Sequence, residues 1–330
     1  MINWLKITEA TRHYLKSIFQ PGDVILSYTE SNTPGIMTPL VIREAGAIDK
    51  IILNPLCTQN LSVYLSEFFQ QDIQSGNPAT GKWVVTVKPC DARSVIQMIS
   101  DEQITKDNLE MVVFDCDGTV TTKSLKNLLG GEIRSVKFED HQAKGETLAN
   151  KEVTADLVGS YQAKCSDSAI CSLPDMHDYS FISESNRFVF HGSEKENTLI
   201  QDTLSREDCF QRISEELSKC IRCNACRKVC PACFCSDRCV MDKPKLAIPY
   251  ITKEITLDQI FQYHLIRFYH VAPNCTACGE CERACPQGIP LSIFYRYLHR
   301  LNKQLFGTES GSSDSDKQKL LSYRFGEDLV

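Results

Sequence analysis

Cysteine is the residue type in this chain with the most chemical potential: there are 17 in 330 residues, and eleven fall between Cys220 and Cys285. They form two runs, Cys220-x2-Cys223-x2-Cys226-x3-Cys230-Pro231 and Cys275-x2-Cys278-x2-Cys281-x3-Cys285-Pro286. Both reproduce the spacing of the bacterial ferredoxin run, closing proline included. Three thiolates at i, i+3 and i+6 wrap one corner of a cuboidal 4Fe-4S cluster. In two-cluster ferredoxins the fourth cysteine of each run serves the other cluster. The spacing therefore assigns Cys220, Cys223, Cys226 and Cys285 to one 4Fe-4S centre, and Cys275, Cys278, Cys281 and Cys230 to a second. The chemistry is one-electron transfer. A zinc-bound structural module is the competing reading, but zinc closes its tetrahedron with two CxxC pairs and has no use for a third close cysteine followed by Cys-Pro.

Other thiols extend the inventory. Cys233, Cys235 and Cys239 follow the first run directly and suggest a further metal site, with Cys209 as a candidate fourth ligand. Arg222, Arg227, Lys228 and Arg283 lie among the ligands, where positive charge would offset anionic clusters. In the N-terminal half, Cys90 and Cys116 each follow an apolar run that reads as a strand. In a βαβ unit both would emerge at the carboxyl edge of a parallel sheet, the usual place for a site. Cys57 follows Ile51-Ile52-Leu53 and is expected at the same edge, while Cys165 and Cys171 would come from a later loop. The expected third centre uses Cys90, Cys116, Cys165 and Cys171, with Cys57 in reserve. Asp91 reads as the cap of a helix opening at Ala92.

The elements that must position these thiols follow from hydrophobic period. Residues 1–208 read as an α/β domain with a mainly parallel sheet, carrying the possible third cluster. Its short apolar runs are Val24–Leu26, Ile51–Leu53, Trp83–Val87 and Met111–Phe114, with helical patterns at 1–20, 61–69 and 92–99. Arg187-Phe188-Val189-Phe190 is the one further strand expected before residue 208. Residues 209–306 read as a helical ferredoxin-like domain carrying the two 4Fe-4S motifs. There Thr256-Leu257-Asp258-Gln259 opens a helix in capping-box fashion, with Leu257, Ile260, Phe261, Leu265 and Phe268 as its apolar residues. A second helix from Pro290 carries Leu291, Phe294, Leu298, Leu301 and Leu305. His264 and His270 on the first of these helices read as structural. Residues 307–330 read as a flexible tail.

Composition and motifs exclude several classes. A net charge of −6 argues against nucleic acid as partner. No apolar run suits an export signal or a membrane span, so the cytoplasm is the expected compartment, where thiols serve metals and not disulfides. Neither GxGxxG nor a P-loop is present. Val113-Phe114-Asp115-Cys116-Asp117-Gly118-Thr119-Val120 matches the first motif of haloacid-dehalogenase-type phosphatases, but such enzymes open on this motif and need later paired acids on a strand end; Asp175 and Asp178 follow none.

These residues carry a resemblance. The two runs with helical filling between them, and Cys285-Pro286-Gln287-Gly288-Ile289-Pro290, resemble the helical ferredoxin domains of heterodisulfide reductase and of succinate dehydrogenase iron–sulfur subunits. Over most of its length the chain resembles the iron–sulfur beta subunits of deazaflavin (coenzyme F420)-reducing hydrogenases and formate dehydrogenases, in the branch found beside heterodisulfide-reductase-like proteins. Asn54-Pro55-Leu56-Cys57 with Asn60-Leu61, Lys88-Pro89-Cys90-Asp91-Ala92-Arg93-Ser94 and Gln103–Asn108 leading to Cys116 carry it. The chain departs from the family at Pro89, where glycine is usual, at Asp115 before Cys116, and in the wide spacing of Cys165 and Cys171. The resemblance implies an electron-transfer subunit of a cytosolic anaerobic complex, with hydrogenase, formate dehydrogenase or heterodisulfide-reductase-like partners that handle the substrate. It also implies FAD near the N-terminal centre. The alternative from another class is a self-sufficient FAD and iron–sulfur oxidoreductase that reduces a small carrier such as a deazaflavin.

Overall fold

The computed structural model describes residues 2–65, 68, 81–139, 141–166, 170–172, 179–183, 205–235, 239, 254–307 and 309–312. The chain divides into two units, Met1–Val95 with Ile104–Lys195, and Ile96–Gln103 with Glu196–Val330.

The first unit is α/β with a mixed sheet. Helix α1 (Trp4–Ile18) is capped by Asn3, whose side chain accepts from the Lys6 amide, and it buries Trp4, Ile7, Thr8, Thr11 and Leu15. Strands β1 (Val24–Glu30), β2 (Met37–Ile42), β3 (Trp83–Val87), β4 (Leu109–Phe114) and β8 (Tyr179–Ile182) form a sheet in the order β2-β1-β3-β4-β8. The β1–β3, β3–β4 and β4–β8 pairs are parallel, and only β1–β2 is antiparallel. Every residue of β3 is buried, as its unbroken Trp-Val-Val-Thr-Val requires of a central strand covered on both faces. Helix α2 (Pro89–Ser100) crosses from β3 to β4. Between β4 and β8 the chain inserts helix α3 (Thr122–Leu129) and an antiparallel sheet of β5 (Ile133–Glu139), β6 (Gln142–Thr147) and β7 (Glu152–Asp156).

Several expectations are corrected. Ile51–Leu53 is not a strand: it is a loop whose polar groups bond to α1 and β1, with Arg12 Nε donating to the Ile51 carbonyl, Thr8 Oγ1 accepting from the Leu53 amide and the Ile52 amide bonding the Tyr28 carbonyl. Strand β2 and the three-stranded insertion carry no strong alternation of apolar residues, and β8 is a four-residue strand with no fully buried position. The strand expected at 187–190 lies outside the described residues, as do 66, 67 and 69 of the helix expected at 61–69.

The second unit is helical: α4 (Arg206–Leu217), α5 (Ala225–Lys228), α6 (Leu257–Val271), α7 (Glu280–Arg283) and α8 (Leu291–Phe306). Its core contains Leu217, Ile260, Tyr263, Val271, Ile289, Leu291, Phe294 and Tyr295, together with Cys226, Cys275 and Cys281. Thr256 caps α6 as expected, its Oγ1 accepting from the Gln259 amide. The buried face of α6 is not the expected one. Ile260, Tyr263, His264, Arg267 and Val271 are buried, whereas Leu257 and Leu265 are exposed. Residues after Gly307 begin with a packed turn: Ser310 Oγ donates to the Pro273 carbonyl and the Gly311 amide to Gln97 Oε1. Residues 313–330 lie outside the described residues.

Candidate metal centres

The two C-terminal runs fold as a structural repeat. In each, the residue two after the first cysteine turns its amide onto that thiol: Arg222 N to Cys220 Sγ at 3.3 Å, and Ala277 N to Cys275 Sγ at 3.4 Å. Those two residues have φ of 51° and 54°, and the residues directly after the second cysteines, Asn224 and Gly279, have φ of 61° and 76°. Left-handed positions at alternate residues curl the backbone so that successive thiols face one point. Asn and Gly adopt this conformation at least cost. A single helical turn, α5 or α7, then carries the third cysteine.

Cys285 lies beside the thiols of the first run, and Cys230 beside those of the second. Cys220, Cys223, Cys226 and Cys285 line one small cavity, together with Arg222, Tyr263 and His264. In the other set, burial pushes the Cys281 thiol well up, and Cys230, Cys278 and Cys275 beside it push it further, with Arg267 opposing. Cys275 rises from burial and from Cys230 and Cys278. Such mutual crowding of thiols is unfavourable without a cation to bind them, and the donor set fits an iron–sulfur cluster.

Cys233 sits beside the second set. Its thiol is held below the ordinary range by a hydrogen bond with Cys230 and by Arg267. Cys235 is exposed, Cys239 and Cys209 are partly buried, and Cys209 lies on α4. No described contact joins Cys235, Cys239 or Cys209 to Cys233, and residues 236–238 lie outside the described residues. Of the expected cations, Arg283 is neutralised by Glu280 at 2.8 Å, and Arg222 lies over the Tyr263 ring at 5.3 Å.

In the first unit, β3 and β4 bring Cys90 and Cys116 to the carboxyl edge of the sheet. Helix α2 opens at Pro89 and not at Ala92, so Cys90 lies in its first turn, where burial and the Asp91 charge push its thiol well up. Asp91 is consequently no cap. Its carboxylate is 2.5 Å from Lys88 Nζ, and both side chains are buried. Lys88 also donates to the Tyr28 hydroxyl at 2.7 Å and to the Gln59 carbonyl at 2.9 Å, so every ammonium proton has an acceptor. Asn60 Nδ2 donates to Ser94 Oγ, and Arg93 Nη1 to Ser172 Oγ, which lies next to Cys171. The Lys-Pro-Cys-Asp-Ala-Arg-Ser segment is thus a buried polar frame around Cys90.

Cys165 sits on a short turn, Ala163–Ser166, pinned to the Cys116 loop by Gln162 N to Thr119 O at 2.8 Å and Thr119 N to Cys165 Sγ at 3.4 Å. Gly118, at φ +139°, lets this loop pass under Tyr161, whose ring a Cβ would meet at 2.7 Å. The structure brings all four expected thiols together. Burial raises Cys116 well up and Cys165, Cys171 and Cys90 add to it, while Cys171 is pushed up to about 12 by burial and by Cys165. Lys164, buried, opposes the rise at Cys90 and Cys171. Among the described residues no group of three His, Cys, Asp or Glu has the spacing of a single metal ion, which is the narrower requirement of a mononuclear site. Cys57 stands apart, fully buried, its thiol near the Ile52 carbonyl and pushed up to about 12 by burial.

The phosphatase-like aspartates face different partners: Asp115 accepts from Ser183 Oγ, whereas Asp117 lies 3.2 Å from His141 Nδ1. Residues 175 and 178 lie outside the described residues. Sequence reasoning missed Lys164 and Arg267, the buried cations beside the two thiol groups. A lone charge on an otherwise core-facing helical stripe was the available signal for Arg267.

The helical unit with its two cysteine runs is similar to 4Fe-4S ferredoxins: the 4Fe-4S dicluster domain family matches residues 216–289. F420-dependent formate dehydrogenase subunit beta of Methanocaldococcus jannaschii is 28% identical over 287 residues, covering 69% of this chain and 73% of its own length. F420-dependent formate dehydrogenase 1 subunit beta of Methanococcus maripaludis is 24% identical over 296 residues, covering 71% and 74%. A chain of the xenon-derivatised F420-reducing [NiFe] hydrogenase complex from Methanosarcina barkeri is similar with a TM-score of 0.36 and 16% identity, covering 49% of this chain and 61% of that one. Over about 70% of its length the chain is thus similar to the beta subunits of two F420-dependent formate dehydrogenases, and residues 216–289 carry a 4Fe-4S dicluster domain. Among the described residues no helix is long and apolar enough to cross a membrane.

Proposed function

We propose that the chain is the electron-transfer subunit of an oxidoreductase complex of the F420-dependent formate dehydrogenase or hydrogenase type, with a heterodisulfide-reductase-like chain as a further candidate partner. Two clusters would be held by Cys220, Cys223, Cys226 and Cys285, and by Cys275, Cys278, Cys281 and Cys230. A third would be held at the sheet edge by Cys90, Cys116, Cys165 and Cys171. When bound, such clusters supply one-electron carriers. The chain's own residues do the rest: the Arg222 and Ala277 amides stabilise thiolate charge, and the Lys88–Asp91 frame fixes the Cys90 loop. FAD is part of the proposal without assigned residues, and Cys233, Cys235 and Cys239 are possible further ligands, Cys233 lying beside the second centre.

The observation that carries this reading is the cross-pairing of the two runs, in which Cys285 joins the first run's cavity and Cys230 the second set. The test is anaerobic purification of the tagged chain from its native host, followed by anaerobic addition of reduced F420. Co-purification of dehydrogenase or hydrogenase chains, with bleaching of a broad visible band, is expected. A colourless zinc protein would contradict the reading. Stoichiometric FAD and F420 turnover by the isolated chain would support the self-sufficient enzyme instead.

A further inference from the structure

We propose that Arg267 is the buried counter-cation of the second centre and governs how readily that centre accepts an electron. The inference rests on the cluster assignment above. Arg267 lies on α6 and is 3% exposed. Its Nη2 donates to the Cys226 carbonyl at 2.8 Å, Nη1 donates to the Tyr295 hydroxyl, and the guanidinium lies over the Tyr295 ring at 5.0 Å. Among the described residues no carboxylate pairs with it, and its Nε has no acceptor. A guanidinium does not shed its proton in a protein, and burying it without an anion is strongly unfavourable. The anion is therefore to be sought among its neighbours, and these are thiols: Cys230, Cys281 and Cys275 of the second set, Cys226 of the first, and Cys233.

The two centres differ in what surrounds them. Cys223 of the first set is exposed, so water can relieve added negative charge there. Cys275, Cys278 and Cys281 are all buried. An electron added to a centre held by them finds little water to stabilise it. A fixed charge in a medium of low dielectric takes over that task, acting more strongly than it would in water. Arg283, the guanidinium within the second run itself, cannot serve equally because Glu280 neutralises it.

The test uses the full chain, purified anaerobically as wild type, Arg267→Gln and Arg267→Lys, with iron quantified and the clusters titrated electrochemically under electron paramagnetic resonance. A Cys278→Ala variant identifies the second centre's signal by its loss. In Arg267→Gln, the reduced-to-oxidised ratio of the second centre at a fixed potential should fall at least about tenfold, a 59 mV shift for one electron. The first centre should move less, and Arg267→Lys should lie near wild type. Loss of iron from the second centre in the Gln variant alone would also support the counter-cation. No shift, an equal shift of both centres, or a Lys variant matching the Gln variant would overturn it in favour of a purely structural tie between α6 and α8. Wild-type protein lacking the second centre's iron would instead defeat the cluster assignment itself.

Discussion

The N-terminal unit sets the buried Cys90, Cys116 and Cys165 beside a sheet with an apolar core of its own, whereas the helical unit counts Cys226, Cys275 and Cys281 within its hydrophobic cluster. In the first unit Ile25, Leu26, Val85, Val87, Val112, Val113 and Phe114 are buried with 1% exposure or less; Cys90 and Cys116 follow strand ends, and Cys165 and Cys171 come from the segment between β7 and β8. In the second, Cys226, Cys275 and Cys281 stand inside the hydrophobic cluster, and α5 and α7 are single turns too short to persist alone. The difference teaches how each site is formed. The sheet preorganises its thiols before a metal arrives. The ferredoxin-type unit needs the metal to finish folding, as small metal-bound domains do.

Removing iron should produce the largest contrast. With a strong chelator under reducing conditions, amide exchange protection across α6 and α8 should be lost while β3 and β4 keep theirs. Equal loss in both units would erase the distinction.

The second contrast concerns the polar frame. Lys88→Met leaves Asp91 buried without its cation and should destabilise the first unit by about 3–5 kcal/mol, read by denaturant unfolding. The iron bound by the second unit should be unchanged.

A smaller effect tests the left-handed loops. Asn224→Val places a β-branched residue at φ 61° and should cost about 1–2 kcal/mol, seen as a lowered midpoint of thermal unfolding of the second unit only. The smallest effect is expected at Cys57→Ala, about 1 kcal/mol with full retention of iron, because this thiol packs in the core away from the other four. Iron loss in that variant would return Cys57 to the ligand set.

Much of this was legible in the sequence, for reasons that differ by region. Covalent spacing dictates cluster geometry, so the two runs and the thiols at the ends of β3 and β4 could be read directly. The central strands were legible because burial on both faces demands unbroken apolar runs. Ile51–Leu53 misled because its burial comes from a loop pinned by Arg12 and Thr8. The face of α6 misled because period finds apolar stripes, while this stripe meets cysteine loops with Tyr263, His264 and Arg267. Sheet β5–β6–β7 was missed since its strands are rich in exposed polar residues, such as Arg134, Lys137 and Glu139 of β5, with only Val136 and Phe138 partly buried between them.

The central claim is that the chain holds a preorganised N-terminal centre in addition to the C-terminal pair. Iron and acid-labile sulfide per chain, measured in parallel on anaerobically purified wild type and Cys90→Ala, test it most directly. About twelve irons falling to about eight in the variant is the expected result. About eight irons in both proteins would contradict it.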